Sequence, residues 1–331
     1  MILVTGGTGL VGSHLLYQLI ENGESVRAIC RAESNLDSVR DIFAFYQSDL
    51  FDQIEWVEAD LLDYFSLVDA MKGISVVYHC GAMVSFKPSD RDAMFAVNVE
   101  GTANLVNAAI ESKVKRFCYV SSIATLGKSL NGEPIDETRF WQNDDNHSVY
   151  SQSKFQAEME VWRGTKEGLN AVLVNPSVII GPCVADRSTG QLISTLSKDM
   201  RFYTGGGTGF VDVRDVVKAM IAVCDSELFN ERYIVNGENL SYRELMTLAS
   251  KVFKVKAPTI RAGRILTGIA WRMERLKYML WGRAPRMTKE TARSSQNKSN
   301  YTSKKLTHEF GITFYSIEDA LVNVADFHKG K

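Results

Sequence analysis

The sequence lacks the features that mark disulfide-rich, metal-binding and membrane-spanning proteins. Its 331 residues include five scattered cysteines, none in Cys-x-x-Cys or Cys/His spacing: Cys30, Cys80, Cys118, Cys183 and Cys224. This set predicts reduced, buried thiols and no metal site. No apolar run reaches the ~18 residues of a membrane span. The opening residues, MILVTGG, run directly into a predicted strand and leave no room for a signal peptide. We therefore expect a cytoplasmic protein.

Charge of one sign is also lacking. The 38 Lys and Arg residues nearly balance the 39 Asp and Glu residues, for a formal net charge of -1. No overall field recruits nucleic acid, so we expect no nucleic-acid partner. Apolar residues at 45% and charged residues at 23% are typical of a soluble globular chain. The length predicts one large domain or two unequal ones.

Short apolar segments alternate with helical patterns through residues 1–175. The predicted strands cover 2–4, 25–30, 54–57, 74–79, 117–121 and 171–175, and the predicted helices cover 13–23, 66–72, 90–112 and 149–168. This order predicts an α/β fold with a doubly wound, Rossmann-type parallel sheet. A βα barrel usually needs eight such units and does not explain a glycine turn after the first strand. Residues 34–53, rich in aromatics, predict one additional helix.

The glycine turn is TGGTGLVG at residues 5–12, between the first strand and the first helix. Glycines at three-residue intervals let backbone N–H groups approach a pyrophosphate at the positive end of the helix dipole. The pattern predicts a dinucleotide site rather than a plain strand–helix turn. The residues expected to contact the cofactor here are Gly6, Thr8, Gly9, Leu10, Val11 and Gly12.

After Pro176 the regular alternation ends, and glycine-rich loop signals such as TGGGTG at 204–209 follow. We therefore predict a dinucleotide-binding domain at 1–175, to which 210–237 returns. Residues 176–209 and 238–331 are expected to form a smaller C-terminal substrate-binding region.

The end of the second strand bears on the choice of nucleotide. An acid there would bind the ribose hydroxyls of NAD, but this sequence has Cys30 and Arg31. A guanidinium suits the extra phosphate of NADP, so NADP(H) is favoured over NAD(H). The alternative is that Arg31 is an ordinary surface residue and Glu33 takes the role of the acid.

The sequence resembles the extended short-chain dehydrogenase/reductase superfamily, of the NAD-dependent epimerase/dehydratase type. The resemblance rests on motifs in order along the chain: VTGGTGLVG at 4–12, ADLLD at 59–63, VVYHCGA at 76–82, NVEGTANLV at 98–106, YVSSIATLG at 119–127, YSQSK at 150–154, NPSVIIGP at 175–182 and FVDVRDVVKA at 210–219. Within the superfamily it is most similar to the dihydroflavonol reductase and 3β-hydroxysteroid dehydrogenase branch.

The resemblance implies roles for four catalytic residues. Tyr150 is the general acid/base, and Lys154 lowers its pKa and holds the nicotinamide ribose. Ser122 hydrogen-bonds the substrate oxygen, and Asn98 supports a bound water in the proton path. The further cofactor contacts implied are Asp60 and Leu61 near the adenine, Cys80, Gly81 and Ala82 after the fourth strand, and Pro176, Ser177 and Val178 beside the nicotinamide.

The chemistry of these side chains agrees with that assignment. Free tyrosine has a pKa of about 10, and a nearby lysine ammonium favours the phenolate and lowers it. Tyr150 and Lys154 are four residues apart, on one face of a predicted helix. We therefore expect an oxidoreductase that interconverts a carbonyl and an alcohol on a small to medium hydrophobic substrate. The residues expected near that substrate are Met83, Phe86 and Ile123.

Two other functions stay open: an NAD-dependent nucleotide-sugar epimerase/dehydratase, and a non-catalytic dinucleotide-sensing protein. Arg31 argues against the first and the complete Ser122, Tyr150 and Lys154 set against the second. Plant dihydroflavonol reductases tend to carry Asn or Asp where this chain has Gly127, which argues against a flavonoid substrate.

Other features receive structural interpretations. His79 is expected to be a core histidine, and Asp212 and Asp215 are expected to cap the following helix and tie it to a loop. Residues 261–286 form a basic amphipathic pattern, typical either of a membrane-surface helix or of a pocket wall. The predicted helices at 90–112 and 149–168 are the expected surface of a homodimer.

Overall fold

The computed structural model describes residues 1–85, 87–129, 132–142, 147–183, 188–281 and 289–329. The strands and helices follow in chain order: β1 Ile2–Thr5, α1 Leu10–Glu21, β2 Val26–Cys30, α2 Asp37–Phe45, β3 Glu55–Glu58, α3 Tyr64–Ala70, β4 Val76–His79, α4 Arg91–Phe95, α5 Gly101–Glu111, β5 Arg116–Val120, α6 Val149–Lys166, β6 Ala171–Pro176, β7 Val178–Ile180, α7 Ser188–Leu196, β8 Phe202–Thr204, β9 Gly207–Asp212, α8 Val213–Asp225, β10 Glu231–Val235, β11 Glu238–Ser241, α9 Tyr242–Phe253, β12 Ile260–Ala262, α10 Arg264–Trp281, α11 Lys289–Ser294, α12 Lys304–Phe310 and α13 Ile317–Lys329.

Seven parallel strands form the large sheet, in the order β10-β6-β5-β4-β1-β2-β3. The inner strands are apolar on both faces because helices cover both sides, and two buried clusters fill the space between sheet and helices. Strand order reverses between β1 and β4, so the crevice for a ligand opens at their carboxyl ends. The predicted doubly wound fold is confirmed.

The predicted helix at 90–112 is confirmed, but it contains a turn of a different kind that was not predicted. The chain forms α4, then a π-helical turn over Ala96–Glu100, then α5. A π-helical turn shifts the helix register, and such turns are frequent at functional sites. The apolar spacing of the sequence changes too little across residues 96–100 to reveal the π-helical turn.

The remaining short strands were not predicted. β11, β9 and β7 form a three-stranded sheet, and β12 pairs with β8. α8 packs on α1, whereas β10 extends the large sheet beside β6. The capping predictions are confirmed: Asp212 accepts from the Arg214 N–H at 2.8 Å, and Asp215 accepts from the Tyr315 N–H at 2.8 Å.

All five cysteines lie in the described residues and none forms a disulfide. The expectation of burial is wrong for three of them: Cys118 and Cys224 are buried, but Cys30, Cys80 and Cys183 are only partly so. Among the described residues, no helix is long and apolar enough to cross a bilayer. The same residues contain no cluster of three or more His, Cys, Asp or Glu side chains that could hold a metal ion.

Candidate functional site

The glycine turn lies at the mouth of the crevice, and two of its glycines cannot carry a side chain. Gly6 has φ +68°, and a Cβ there would lie 2.6 Å from the Gly81 nitrogen. A Cβ on Gly12 would lie 2.2 Å from the Gly6 oxygen. Gly9 donates its N–H to the Gly6 oxygen at 2.9 Å, and α1 begins at the next residue. The bare backbone and the helix start fit a pyrophosphate.

The other expected cofactor contacts follow the carboxyl ends of neighbouring strands. Cys80 to Ala82 follow β4, where the Gly81 N–H donates to the Thr5 hydroxyl at 3.2 Å. Asp60 and Leu61 follow β3, and Leu61 packs beside Gly81. The segment from Pro176 through Ser177 to Val178 joins β6 to β7. The structure therefore brings these segments to one edge of the sheet.

Arg31 follows β2 at the same edge. Its side chain is 57% exposed, and its Nε lies 3.1 Å from a Glu33 carboxylate oxygen. The two residues that compete in the choice between NADP and NAD thus form an ion pair at the surface.

Tyr150 and Ser122 meet where α6 begins. Ser148 caps α6 by accepting from the Ser151 N–H at 3.0 Å, which places Tyr150 in the first turn. Ser122 follows β5, and its hydroxyl accepts from the Ala124 N–H at 3.1 Å. Burial raises the pKa of the Tyr150 phenol, and a hydrogen bond with the Ser122 side chain opposes that rise.

Lys154 lies one turn further along α6 and is 2% exposed. Its Nζ donates to the Tyr119 hydroxyl at 2.6 Å and to the Val120 carbonyl at 2.9 Å. Burial lowers the pKa of Lys154 to about 7, against the opposing effect of the Glu158 carboxylate. Near neutral pH, burial and the neighbouring carboxylate therefore decide together whether the Lys154 side chain is charged.

Asn98 lies within the π-helical turn and ties the segment after β4 to α6. Its Oδ1 accepts from the Met83 N–H at 2.7 Å, and its Nδ2 donates to the Met83 carbonyl and the Ser153 hydroxyl, both at 3.0 Å. Its own carbonyl accepts from the Thr102 hydroxyl at 2.5 Å. Asn98 therefore fixes the backbone of an expected substrate contact.

His79 is fully buried, as expected of a core histidine. Its Nδ1 lies 2.7 Å from the Thr5 hydroxyl and its Nε2 lies 3.0 Å from that of Thr102. Because the Thr102 hydroxyl donates to the Asn98 carbonyl, it accepts from Nε2–H, which leaves Nδ1 as an acceptor. Burial lowers the pKa of His79 to about 3, so the ring is neutral.

The residues expected to contact the substrate differ in how deeply they are buried. Met83 is half-buried beside Asn98. Ile123 is only 9% exposed and packs in a small cluster with Leu126, Ile135 and Ile234, so its burial argues against a substrate contact. Phe86 lies outside the described residues.

The family model described as "NAD dependent epimerase/dehydratase family" matches residues 2–235. The chain belongs to this family. The expected NAD(P)-dependent enzyme class is confirmed at that level, and the family model covers the whole large sheet.

Similar family members span nearly the whole chain. A protein of Synechocystis named as a candidate dihydroflavonol 4-reductase is 32% identical over 328 residues, covering 97% of this chain and 92% of its own. Sterol demethylase protein B of Methylococcus capsulatus is 29% identical, with coverage of 94% and 92%. The crystal structure of gox2253 has a TM-score of 0.84 at 31% identity, covering 100% of this chain and 98% of the other.

Gly127 shows why this family member departs from the plant dihydroflavonol reductase pattern. A Cβ there would lie 2.2 Å from the Phe140 oxygen, and the Gly127 N–H donates to the Arg139 carbonyl at 3.2 Å. An Asn or Asp at this position would displace the segment carrying Arg139 and Phe140.

The sequence interpretation missed two residues of the site, Tyr119 and Glu158. Both side chains are buried beside the α6 face that carries Tyr150 and Lys154. The signal for Glu158 was its spacing, since it continues the series of every fourth residue on that face. An acid on the buried face of a helix indicates a partner, because unpaired buried charge is costly.

Proposed function

We propose that this protein is an NADP-dependent oxidoreductase that interconverts a carbonyl and an alcohol on a small to medium hydrophobic substrate. The observation that carries the proposal is the Tyr150 phenol, buried beside the Ser122 side chain at the edge of the sheet where the glycine turn opens. The names of the Synechocystis and Methylococcus relatives support a reductase with an apolar substrate.

In this proposal a bound nicotinamide supplies the hydride. Tyr150 donates a proton to the oxygen that becomes negative, and the Ser122 hydroxyl orients that oxygen by a hydrogen bond. Lys154, when charged, stabilises the phenolate that the proton transfer leaves behind. Asn98 acts by holding the Met83 backbone beside α6 and, as the resemblance implies, a water in the proton path.

A panel of carbonyl and alcohol substrates, followed by NADPH absorbance, tests the proposal. Oxidation of NADPH with an apolar ketone or aldehyde supports it. Turnover only of a nucleotide sugar would favour the epimerase/dehydratase alternative. Tight dinucleotide binding with no turnover across the panel would favour the sensing protein.

We propose that Arg31 sets the preference for NADP(H). Losing a charged hydrogen bond costs about 1.5–3 kcal/mol, so Arg31→Ala is expected to weaken NADPH binding about 10- to 100-fold. NADH binding is expected to stay within about twofold, because NADH lacks the phosphate that the guanidinium pairs with. Titration calorimetry with both nucleotides measures the difference.

Arg40→Ala is the matched control for Arg31→Ala. Arg40 is a similarly exposed arginine on α2 and lies 3.6 Å from Asp52. The Arg40→Ala substitution should leave the affinities for NADPH and for NADH unchanged. If the wild-type protein bound NADPH and NADH equally, the NADP preference would be wrong and Glu33 would become the candidate ribose ligand.

We propose that the protein forms a homodimer through the exposed faces of α5 and α6. The two helices pack side by side, and Arg163 bridges them by donating to Asn107 at 2.8 Å. Met159, on the outer side of α6, is 40% exposed and offers an apolar contact. Sedimentation equilibrium measures the state, and a monomer at micromolar concentration would contradict it.

We propose that segment 261–286, of which 282–286 lie outside the described residues, contacts an anionic membrane surface through α10. Thr267 is buried, whereas five apolar side chains on another face of the helix are between 43 and 83% exposed: Ile265, Leu266, Ile269, Met273 and Leu276. The helix also carries Arg264, Arg272, Arg275 and Lys277 against one acid, Glu274. An outward apolar stripe flanked by basic residues suits anionic headgroups, with the helix lying in the interface plane.

Vesicle flotation tests this contact. The wild-type protein should float with vesicles of phosphatidylcholine and phosphatidylglycerol and less so at high salt, and the double variant Ile269→Asp, Met273→Asp should stay in the dense fraction. Val322→Asp, at an exposed apolar residue of α13, is the control and should float as wild type. Wild-type protein that does not float with anionic vesicles would contradict the proposed membrane contact.

We propose the division of the chain into a dinucleotide-binding domain, 1–175 with 210–237, and a smaller region, 176–209 and 238–331. The pairing of β10 with β6 and the packing of α8 on α1 support the return of 210–237, although β9 lies in the small sheet. Limited proteolysis should cut first within the smaller region.

We also propose a cytoplasmic location, supported by five cysteines without disulfides. Cell fractionation checks it.

A further inference from the structure

Glu158 is a buried carboxylate surrounded by five donor side chains. Its Oε2 accepts from the Ser121 hydroxyl at 2.5 Å, the Thr125 hydroxyl at 2.7 Å and the Asn175 Nδ2 at 3.1 Å. Its Oε1 lies 3.3 Å from both the Trp162 Nε1 and an Arg232 nitrogen. A fully buried carboxylate is tolerated only when it is paired and hydrogen-bonded, as this one is.

The oxygen Oε2 joins three segments of the candidate site. Ser121 and Thr125 flank Ser122 in the loop after β5, and the Thr125 hydroxyl, whose single proton lies between two acceptors, is also 2.9 Å from the Ser122 carbonyl. Asn175 precedes Pro176 at the end of β6 and donates to the same carbonyl at 3.1 Å. One carboxylate on α6 therefore holds the backbone of Ser122 from both sides.

Glu158 also lies one helical turn from Lys154 on the same face of α6. Among the described residues, the ionisable groups around the Lys154 side chain are Tyr119 on β5, His79 at the end of β4, Cys80 just after it, and Glu158 on α6. His79 is neutral, and burial raises the pKa of Cys80 to about 12 and that of Tyr119 well above its ordinary value. In the described part of the chain, Glu158 is therefore the carboxylate that faces Lys154.

We propose that Glu158 is a positioning residue that fixes the Ser122 loop against α6 and keeps Lys154 charged. The effect of Glu158 on catalysis rests on the function proposed above. Its effect on the charge of Lys154 does not depend on that function. Without the carboxylate, burial would favour the neutral amine, and the phenolate of Tyr150 would lose its cation.

The test is the titration of Lys154 in protein free of cofactor and substrate. Lysine labelled with ¹³C and ¹⁵N reports the ammonium by NMR, and Lys154→Arg assigns its signal. We expect a wild-type midpoint near pH 7, where burial places the pKa of Lys154. In Glu158→Gln, which keeps the size of the side chain and removes its charge, the midpoint should fall by about one pH unit or more.

Glu160→Gln is the matched control. It removes the same charge two residues away, where Glu160 pairs with Arg163 at 2.8 Å, and it should leave the midpoint at the wild-type value. An unchanged midpoint in Glu158→Gln would overturn the proposal, because a purely structural role lowers stability without moving this titration. The readout needs no turnover, so it stands even if no substrate is found.

If Glu158→Gln does not fold, Arg232→Met approaches the carboxylate from the other side. Arg232 lies 3.3 Å from Glu158 and partly neutralises it, so its removal should raise the Lys154 midpoint. An unchanged or lowered midpoint in Arg232→Met would overturn the proposal.

Discussion

The Tyr150→Phe enzyme is expected to turn over its substrate about 100- to 10,000-fold more slowly than wild type, the usual contribution of a general acid. The substitution removes one oxygen and keeps the ring that fills the start of α6. Binding of NADPH should change little, because the glycine turn and Arg31 are untouched. Steady-state rates with a substrate from the panel and NADPH fluorescence titration measure the two effects separately.

Tyr64→Phe provides the control for Tyr150→Phe. The Tyr64 hydroxyl bonds Glu111 on α5 and lies outside the site, so its loss should leave the rate within about twofold of wild type, as is usual for surface changes. A Tyr150→Phe enzyme that kept the wild-type rate would remove Tyr150 from the proton path. Weakened NADPH binding in the same variant would instead indicate a cofactor contact.

Gly6→Ala is expected to cost about 2–5 kcal/mol of unfolding free energy and to abolish measurable NADPH binding. Two physical terms add. The left-handed backbone, φ +68°, costs an L-residue about 1–2 kcal/mol. The new Cβ, 2.6 Å from the Gly81 nitrogen, also forces β1 and β4 apart, at about 1–3 kcal/mol for overpacking.

Gly23→Ala separates the two terms. Gly23 has a similar φ of +79°, and a Cβ there meets nothing within 4 Å. It should lose only the backbone cost of about 1–2 kcal/mol and bind NADPH as wild type does. Urea unfolding and calorimetry measure both. Equal losses in the two variants would mean that the contact of Gly6 with Gly81 does not constrain the crevice.

The sequence predicted the features that depend on local pattern. Inner strands covered on both faces are largely apolar, which is why they were predicted, and the edge strand β3 was predicted from its central Trp56 and Val57. The glycine turn and the Tyr150–Lys154 spacing follow from the geometry of one turn and one helix. Each involves residues close together in the chain.

The features that escaped prediction depend on contacts between distant segments. Ile123 reads as a residue near the substrate, but it packs against Ile135 and Ile234. The need for Gly127 comes from the Phe140 carbonyl, and the distant partners of Glu158 come from the loop after β5 and from β6 and β10. No periodicity along the chain contains that information.

The hydrogen bonds of Lys154 limit how it can meet a ligand. An ammonium has three N–H groups, and within the described residues two of them point at the Tyr119 hydroxyl and the Val120 carbonyl. These two bonds fix the tetrahedron and therefore the direction of the third N–H. The Lys154 side chain therefore offers one N–H group in a fixed direction, and in the function proposed above the incoming ribose meets that direction at little entropic cost.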